Sequence, residues 1–169
     1  MITRVLRSTR LGGHAVEARR RLTPSIIFHG AAAGGPGGAP VILGIGLDVV
    51  ATDRIARSLA NDGSDFEAHV FTAAERQECR ERADRTQALG ARFAAKEACF
   101  KALGTGWAQG VSFHQVEVRG LEGGRPELRL SGAAAERAHA LGVRHIHVSL
   151  THEVDVAAAV VVLEGGAVS

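Results

Sequence analysis

One stretch decides how this chain folds: Arg92-Phe93-Ala94-Ala95-Lys96-Glu97-Ala98-Cys99-Phe100-Lys101-Ala102-Leu103-Gly104-Thr105-Gly106. It contains no proline and closes on two glycines, so the pattern predicts a helix that stops at Gly104. Successive residues turn by about 100° around a helix axis, which places Phe93, Glu97 and Phe100 within about a third of its circumference. Glu97 therefore lies on the stripe that the two phenylalanines would bury. A carboxylate taken out of water needs an ion pair, hydrogen bonds or a metal ion.

Two explanations of Glu97 compete. Lys101 lies one helical turn further on, and an i, i+4 pair of opposite charges is a common device on solvated helix faces. Such a pair would satisfy Glu97 only in part if its carboxylate is buried. A second carboxylate in an apolar segment favours the other explanation, which is a site shared by two acids.

That second carboxylate is Asp48, in the apolar segment 41–50. Strand alternation sends Leu43, Ile45, Leu47 and Val49 to one face, and Ile42, Gly44, Gly46 and Asp48 to the other. Glycines within a strand often mark the close approach of a ligand or another backbone. The glycine face therefore has room for a ligand or for the helix at 92–103, which would bring Asp48 and Glu97 together. Two such carboxylates repel, and a hard divalent cation is their natural third member.

The remaining segments show helix and strand patterns in mixed order. Thr72 and Glu75 form a capping box, in which each satisfies the other's orphan amide, and we assign it no chemistry. The predicted helices are 52–61, 72–82, 85–103 and 132–142, and the predicted strands are 42–50, 111–119, 126–130, 144–151 and 154–163, with a glycine turn at Gly123-Gly124. The last strand is expected to be buried on both faces. These elements predict an α+β fold, in which a small antiparallel sheet packs against one long central helix.

Composition favours one domain preceded by an extension. The 169 residues suffice for one core, and with 46% hydrophobic but only 4% aromatic residues this core should consist of small side chains. Residues 1–40 hold six arginines and one glutamate, a local charge of +5, so residues 41–169 carry −3 and the total is +2. The Arg, Gly and Ala content of 1–40 predicts a disordered extension or an over-long start assignment, with a transit peptide or a nucleic-acid-binding arm as alternatives. We place the domain at 41–169.

Other function classes find little support. The longest uninterrupted apolar run, 156–163, has eight residues, far short of the roughly 20 of a membrane-spanning helix. Cys79 and Cys99 are expected to be reduced thiols of a cytoplasmic protein, since they show neither a metal-ligand spacing nor a disulfide framework. His145 and His147 share a strand face but have no third ligand of suitable spacing for zinc. We expect neither a membrane nor a nucleic acid as a partner of the domain.

Several motifs occur in an order that resembles one enzyme family. They are Gly44-Ile45-Gly46-Leu47-Asp48 followed by Arg54-Ile55, then Phe71-Thr72-Ala73-Ala74-Glu75, then Arg92-Phe93-Ala94-Ala95-Lys96-Glu97 with Lys101 and Gly104-Thr105-Gly106, and last His147-Val148-Ser149-Leu150-Thr151-His152-Glu153. Their order and spacing resemble the holo-[acyl-carrier-protein] synthase family, the small 4'-phosphopantetheinyl transferases. The resemblance runs from about Val41 to Glu164, which is nearly a whole family domain.

The resemblance implies a fold, a reaction and an assembly. Members of this family have the 4'-phosphopantetheinyl transferase fold and form homotrimers with active sites in clefts between subunits. They transfer 4'-phosphopantetheine from coenzyme A to a serine of an acyl carrier protein and release adenosine 3',5'-bisphosphate. Two other functions stay open for this sequence. One is a metal-dependent phosphohydrolase that acts on a CoA-like nucleotide, and the other is a non-catalytic subunit that binds carrier proteins.

The resemblance also implies roles for three charged residues. Asp48 and Glu97 match the two acids that bind the metal, and Mg²⁺ commonly binds through one or two carboxylates plus substrate phosphate. Glu97 is the candidate base that takes the proton of the serine hydroxyl. Lys101 matches a lysine beside these acids and suits the pyrophosphate, because it is a flexible point charge.

Six further residues are candidates for binding coenzyme A. They are Arg85, Arg92, Lys96, Gly104, Thr105 and His152. Arg92 matches a family position near the nucleotide, and His152 matches a histidine near the 3'-phosphate that is expected to reach a neighbouring subunit's site. The amides of the Gly104-Thr105-Gly106 turn suit a phosphate, although a glycine helix stop explains the turn equally well. Lys96 lies about 100° around the helix from Glu97 and is expected to point to solvent.

A basic surface for the carrier protein is expected on helix 52–61. Carrier proteins are acidic, and complementary charge would speed their encounter with the enzyme. Arg54 matches the family arginine that contacts the carrier, and Arg57 is its neighbour on the same helix face. A solvated helix face is the alternative reading of these two arginines.

Overall fold

The computed structural model describes residues 26–27, 39–106, 110–120 and 125–166. Six strands and four α-helices follow one another within these ranges. In chain order they are β1 (Ile26–Ile27), β2 (Pro40–Ala51), α1 (Thr52–Val70), α2 (Ala73–Cys79), α3 (Arg85–Leu103), β3 (Val116–Gly120), β4 (Pro126–Leu130), α4 (Gly132–Ala140), β5 (Val143–His152) and β6 (Val156–Gly166). A short 3-10 turn, Phe113–Gln115, precedes β3.

The strands form two antiparallel sheets. The larger has the order β2-β6-β5 and the smaller has the order β1-β4-β3. In the larger sheet, Asp48 of β2 pairs with Ala159 of β6, and His152 of β5 pairs with Ala157 of β6. The predicted α+β class is confirmed, but the sheet is divided into two parts where the sequence suggested one.

Helix α3 is the centre of the fold. It packs against β2, β6 and β5, and 14 of its 19 residues are buried. The helix ends where the sequence predicted, at Gly104, whose φ of 70° is a left-handed conformation that glycine adopts without strain. The sequence assigned one apolar stripe of this helix to the core, whereas the structure buries most of its circumference.

The glycine face of β2 lies directly under α3. A Cβ atom added at Gly46 would collide with the carbonyl oxygen of Ala98, and one added at Gly44 would collide with that of Ala102. Any side chain at these two positions would therefore push the helix away from the sheet. The prediction that this face accommodates the helix is confirmed, and the close approach explains why both positions are glycine.

The opposite face of β2 carries exposed apolar side chains. Ile45, Leu47 and Val49 are 60%, 59% and 58% exposed. A bulge between Ile42 and Gly44 turns Ile42 to this face, where it is 60% exposed, so its predicted place on the glycine face is wrong. Elsewhere the core follows the predicted composition, since it consists mostly of Ala, Val and Leu around a few phenylalanines such as Phe93, which packs against the ring of Phe113. A contiguous apolar strip of this kind on an antiparallel sheet marks an interaction surface.

Several predicted boundaries are wrong. Helix α1 continues to Val70 and not to 61, and it is two helices merged at a kink at Gly63. Helix α2 keeps the predicted capping box of Thr72 and Glu75 but ends at Cys79 and not at 82. Strand β3 begins at Val116 and not at 111, because the 3-10 turn occupies the segment before it.

Strand β6 is buried mainly on one face. Val156 is exposed, and the residues at 157–166 alternate between buried and half-buried positions, so the expectation of burial on both faces is wrong. An apolar strand whose second face is only partly covered gives the same sequence pattern as a fully buried one. The predicted turn at Gly123-Gly124 lies outside the described residues.

A short part of the predicted extension joins the fold. Ile26 and Ile27 form β1, which pairs with Leu130 and Arg129 of β4, so the expectation that 1–40 lies wholly outside the fold is wrong for these two residues. The domain limits stay a prediction. The rest of 1–38 lies outside the described residues, and its disorder stays a prediction. Among the described residues, no helix is both long and apolar enough to cross a membrane.

Both cysteines are free and buried. Burial raises the pKa of Cys99 to about 12, so its thiol stays protonated and unreactive. Burial likewise raises the pKa of Cys79. These observations support the prediction of reduced structural thiols.

Candidate active site

Asp48, Glu97 and Lys101 form one cluster where β2 passes under α3. The Nζ of Lys101 donates to Oδ1 of Asp48 at 2.8 Å and to the carbonyl oxygen of Leu47 at 2.8 Å. Glu97 is only 6% exposed and lies one turn before Lys101 on α3. The ion-pair partner of Lys101 is therefore Asp48 and not Glu97, which corrects the simpler of the two sequence explanations.

The Glu97 carboxyl group is held in an unfavourable environment for a charge. Burial raises its pKa, the nearby Asp48 carboxylate raises it further, and Lys101 lowers it, with a net pKa of about 7. An acid with this pKa is poised to exchange a proton near neutral pH. The pKa also reflects a cluster in which one lysine does not compensate two carboxylates.

The cluster suits a hard cation that brings some of its own ligands. Its oxygen donors are two carboxylates, and among the described residues no group of three or more His, Cys, Asp or Glu side chains could hold a metal ion. Mg²⁺ typically uses one or two protein carboxylates and completes its shell with water and substrate phosphate. The residues present therefore fit Mg²⁺ better than they fit a metal that needs a full protein cage.

A second cluster lines a cavity of about 340 Å³ between α3, β3 and β5. Arg92 and His152, both predicted to bind coenzyme A, lie together on its wall. Arg82 and Arg119, which the sequence reasoning missed, also line it. Four basic side chains thus converge on one cavity, which makes it suitable for a phosphorylated ligand.

Each basic group at the cavity is held by a carboxylate. Arg92 Nη2 lies 2.8 Å from Glu78 Oε2, and Arg119 Nε lies 3.2 Å from Glu78 Oε1. Asp84 accepts two hydrogen bonds from Arg82, at 2.8 and 2.7 Å. These bonds lower the pKa of Asp84.

His152 is tied to the same carboxylate. Its Nε2 lies 3.3 Å from Oδ2 of Asp84. The histidine side chain is 34% exposed and the Asp84 side chain 37%. Water therefore screens this contact, and the imidazole remains available to a ligand.

Lys96 is not at the surface, so the expectation that it points to solvent is wrong. Its side chain is fully buried, and Nζ lies 2.8 Å from Glu75 Oε2 and donates to the carbonyl oxygens of Phe113 and Val116. Burial lowers the pKa of Lys96 and Glu75 opposes that effect. With all its donors engaged inside the protein, Lys96 has a structural role, and its assignment to coenzyme A stays a prediction without support from its contacts.

The Glu75 carboxylate is equally well satisfied. It also accepts hydrogen bonds from the backbone amides of Thr72 and Val118. The capping box that the sequence revealed is therefore one end of a buried network that joins α2, α3 and β3.

Three other candidates are already engaged by protein partners. Arg85 donates to both carboxylate oxygens of Glu67 at 2.7 Å and does not line the cavity. The amides of Gly104 and Thr105 donate to the carbonyl oxygens of Lys101 and Phe100, respectively. The helix stop therefore accounts for these two amides, and their assignment to a phosphate loses its support.

Helix α1 exposes both arginines of the predicted docking surface. Arg57 forms an i, i+4 ion pair with Asp53, in which both side chains are more than 60% exposed. In the described part of the chain, no ion pair neutralises Arg54. Arg54 therefore offers a full positive charge to an approaching partner.

Part of what the sequence reasoning missed carried a signal. Lys96 is flanked at i−3, i+3 and i+4 by Phe93, Cys99 and Phe100, so its apolar neighbours could have placed it in the core. Arg82 and Arg119 carried no such signal, because their meeting with Arg92 depends on how β3 and the segment between α2 and α3 pack beside α3.

The fold and these clusters define an enzyme that acts on a phosphorylated substrate. Residues 44–161 match the 4'-phosphopantetheinyl transferase superfamily. Over 124 residues the chain is 48% identical to the holo-[acyl-carrier-protein] synthase of Maridesulfovibrio salexigens. The alignment covers 73% of this chain and 99% of that protein. Over 126 residues it is 52% identical to the same enzyme of Solidesulfovibrio magneticus, covering 74% and 100%. The chain belongs to the holo-[acyl-carrier-protein] synthase family.

Solved structures agree with this membership. The crystal structure of the holo-[acyl-carrier-protein] synthase from Neisseria meningitidis superposes with a TM-score of 0.68 at 33% identity, covering 73% of this chain and 98% of that one. The enzyme from Bacillus anthracis, in complex with CoA (3',5'-ADP), gives a TM-score of 0.62 at 35% identity, covering 73% and 97%. The predicted family, fold and enzyme class are confirmed.

The reaction follows from the family. This enzyme transfers the 4'-phosphopantetheine group of coenzyme A to apo acyl carrier protein. The two alternatives that the sequence left open, a phosphohydrolase and a non-catalytic subunit, are thereby set aside.

The raised pKa of Glu97 predicts a pH dependence of stability in the presence of a chelator. Between the ordinary value of 4.5 and about 7 the folded state binds more protons than the unfolded state. The free energy of unfolding should therefore fall as pH rises through this window, by at most about 3 kcal/mol, and then level off. Urea unfolding at several pH values measures it.

Two variants isolate the contribution of this residue. Glu97→Gln should remove the decrease, and Glu81→Gln, which neutralises an exposed carboxylate, should retain it. Parallel profiles for the wild type and Glu97→Gln would show that Glu97 titrates normally.

Proposed function

We propose that Asp48 and Glu97 hold Mg²⁺ for the transfer reaction. The support is the buried, undercompensated pair of carboxylates under α3, reflected in the pKa of about 7 for Glu97. Mg²⁺ bound there would neutralise negative charge on the phosphoryl and leaving-group oxygens. Lys101, whose Nζ lies 2.8 Å from Asp48, orients that carboxylate and adds a positive charge beside the pyrophosphate.

Glu97 is also the proposed base. The serine oxygen of the carrier protein attacks phosphorus, the bond from phosphorus to the bridging pyrophosphate oxygen breaks, and adenosine 3',5'-bisphosphate leaves. Glu97 takes the proton of the serine hydroxyl, directly or by way of a water molecule. Mg²⁺ held beside it would lower the pKa of this carboxyl, so that Glu97 is ionised at neutral pH and can accept the proton.

The cavity is the proposed site for the nucleotide of coenzyme A. The 3'-phosphate of coenzyme A is a phosphomonoester, a group that basic side chains bind. The cavity offers four of them, Arg82, Arg92, Arg119 and His152. The apolar residues that line the cavity beside them, including Pro126 and Val148, suit the adenine ring.

We further propose that one active site needs two protomers. Arg92 and Glu97 are five residues apart, so they lie about 140° apart around α3, and neither Asp48 nor Glu97 lines the cavity. One coenzyme A molecule would then contact the acids of one protomer and the cavity of another. The exposed apolar strip of β2, next to Asp48, supplies the surface that such an assembly would bury. A homotrimer is the assembly that the family resemblance implies.

The carrier protein is proposed to dock on α1. Arg54 and Arg57 are exposed on a body that carries a net negative charge, so they form a local basic site for an acidic partner. Arg54 should contribute more to this interaction, because Asp53 partly neutralises Arg57.

The transfer and its metal dependence are tested by the intact mass of an apo carrier protein. Incubation with the enzyme, coenzyme A and Mg²⁺ should add one phosphopantetheine group per carrier, and excess chelator should abolish the gain. Asp48→Asn and Glu97→Gln should lower kcat by about 100-fold or more, because each removes a ligand and Glu97→Gln also removes the base.

Three results would contradict parts of this proposal. Full turnover in the presence of chelator would exclude the metal, and full turnover by Glu97→Gln would exclude the base. An equal loss in Glu81→Gln would show that any lost carboxylate has the same effect.

The docking proposal predicts that Arg54→Glu raises KM for the carrier protein about tenfold and leaves kcat unchanged. The variant should also flatten the dependence of kcat/KM on salt, because screening acts on the charge pair that is lost. Arg80→Glu, which reverses an exposed charge elsewhere, is the matched control. An unaltered KM and salt dependence in Arg54→Glu would move the docking surface away from α1.

The shared active site predicts complementation between two inactive variants. Asp48→Asn lacks an acid, and Arg92→Ala lacks a cation of the cavity. Co-expressed subunits should form mixed oligomers in which some sites combine an intact acid cluster with an intact cavity, so the activity should exceed the sum of the two variants. Activity that stays at that sum would place both clusters of each site in one protomer.

A further inference from the structure

Glu78 lies between Arg92 and Arg119, two of the arginines that line the cavity. It belongs to α2, whereas Arg92 belongs to α3 and Arg119 to β3. One of its carboxylate oxygens is 2.8 Å from Arg92 Nη2 and the other is 3.2 Å from Arg119 Nε. The backbone amide of Gly120 donates to the same carboxylate at 3.4 Å. One side chain thus connects three elements at the wall of the cavity.

The Arg92 guanidinium has capacity left for a ligand. Its side chain is only 11% exposed, and apart from Glu78 it makes a long contact of 3.4 Å with the carbonyl oxygen of Ala88. Its Nε is buried and has no hydrogen-bond partner within the described residues. A guanidinium has five donors, so an anion in the cavity would satisfy groups that the protein leaves unused.

We propose that Glu78 is a positioning residue for coenzyme A, and that it holds Arg92 and Arg119 side by side to receive the 3'-phosphate. This inference rests on the proposed placement of the nucleotide in the cavity. Two guanidinium groups repel each other, and a carboxylate between them allows both to face one cavity. The trio keeps one net positive charge, so it still attracts a phosphate dianion.

Two other roles of Glu78 make different predictions. If it only joins α2 to β3, its loss would weaken the fold and affect every ligand of the cavity equally. If its carboxylate mainly competes with the phosphate, its loss would tighten the binding of coenzyme A. A positioning role instead predicts weaker binding that depends on the 3'-phosphate.

The test compares coenzyme A with 3'-dephospho-coenzyme A, which lacks that phosphate. In calorimetric titrations of the full-length enzyme, Glu78→Ala should raise Kd for coenzyme A about tenfold and change Kd for the dephospho form less than twofold. The KM for coenzyme A in carrier modification should rise by a similar factor. Glu78→Gln keeps one acceptor oxygen and nearly the same size. Its Kd for coenzyme A should therefore lie between those of the wild type and Glu78→Ala.

A matched control and a stability measurement complete the design. Glu81→Gln removes an exposed carboxylate three residues away and should leave both Kd values unchanged. Thermal unfolding identifies a variant that is not folded, and if Glu78→Ala fails in this way, the comparison is made with Glu78→Gln.

Three results would overturn the inference. Equal losses for the two ligands would indicate a purely structural role, and tighter binding of coenzyme A would indicate competition. If the wild type binds coenzyme A and its dephospho form equally well, the 3'-phosphate does not bind in the cavity. The proposed role of Glu78 would then fail as well. That last result is distinct from a failure of the transfer reaction, which the mass of the carrier protein reports separately.

Discussion

The contact between α3 and the glycine face of β2 is the constraint on which the site depends. With no side chain at Gly44 or Gly46, the carbonyl groups of Ala98 and Ala102 lie against the strand backbone. This contact brings Asp48 of β2 to the part of α3 that carries Glu97 and Lys101. A larger residue at either glycine would push α3 away from β2 and so separate Asp48 from Glu97, although it would touch neither of them. The small core residues serve the same end, because they set how closely the two elements approach.

Rotation of α3 about its own axis is fixed by a second interaction, the buried pair of Lys96 and Glu75. A buried ion pair contributes little net stability unless its remaining donors and acceptors are satisfied. Here they are, since Lys96 reaches two backbone carbonyl oxygens and Glu75 receives two backbone amides. Because Lys96 precedes Glu97 directly, anchoring one side chain in the core orients the other toward β2. The pair therefore acts through geometry, by holding the Glu97 carboxylate at a fixed angle to β2.

Local patterns predicted the fold class, α3 with its end at Gly104, the capping box at Thr72 and the meeting of Asp48 with Glu97. Each of these depends on residues close in sequence, or on one strand face and one helix face that obviously match. The partner of Lys101, the burial of Lys96 and the group of Arg82, Arg92 and Arg119 were not predicted. They depend on how α2 and β3 pack beside α3, and exposed and buried charges look alike in sequence. Alternation likewise could not tell a half-covered β6 from a buried one.

The two clusters carry an excess of charge of opposite sign. At Asp48 and Glu97 negative charge exceeds what Lys101 supplies, which favours a cation. At the cavity three arginines and a histidine face Glu78 and Asp84, with Glu117 more distant at 3.9 Å from Arg119, and the guanidinium donors left without a partner among the described residues favour an anion. A metal-bound phosphate ester with a further phosphate at its far end needs both. Within one protomer, α3 separates the two clusters. Association of protomers would bury the apolar strip of β2 and would also bring the acidic cluster of one protomer opposite the basic cluster of another. Stability and catalysis would then impose the same requirement on the surface of β2.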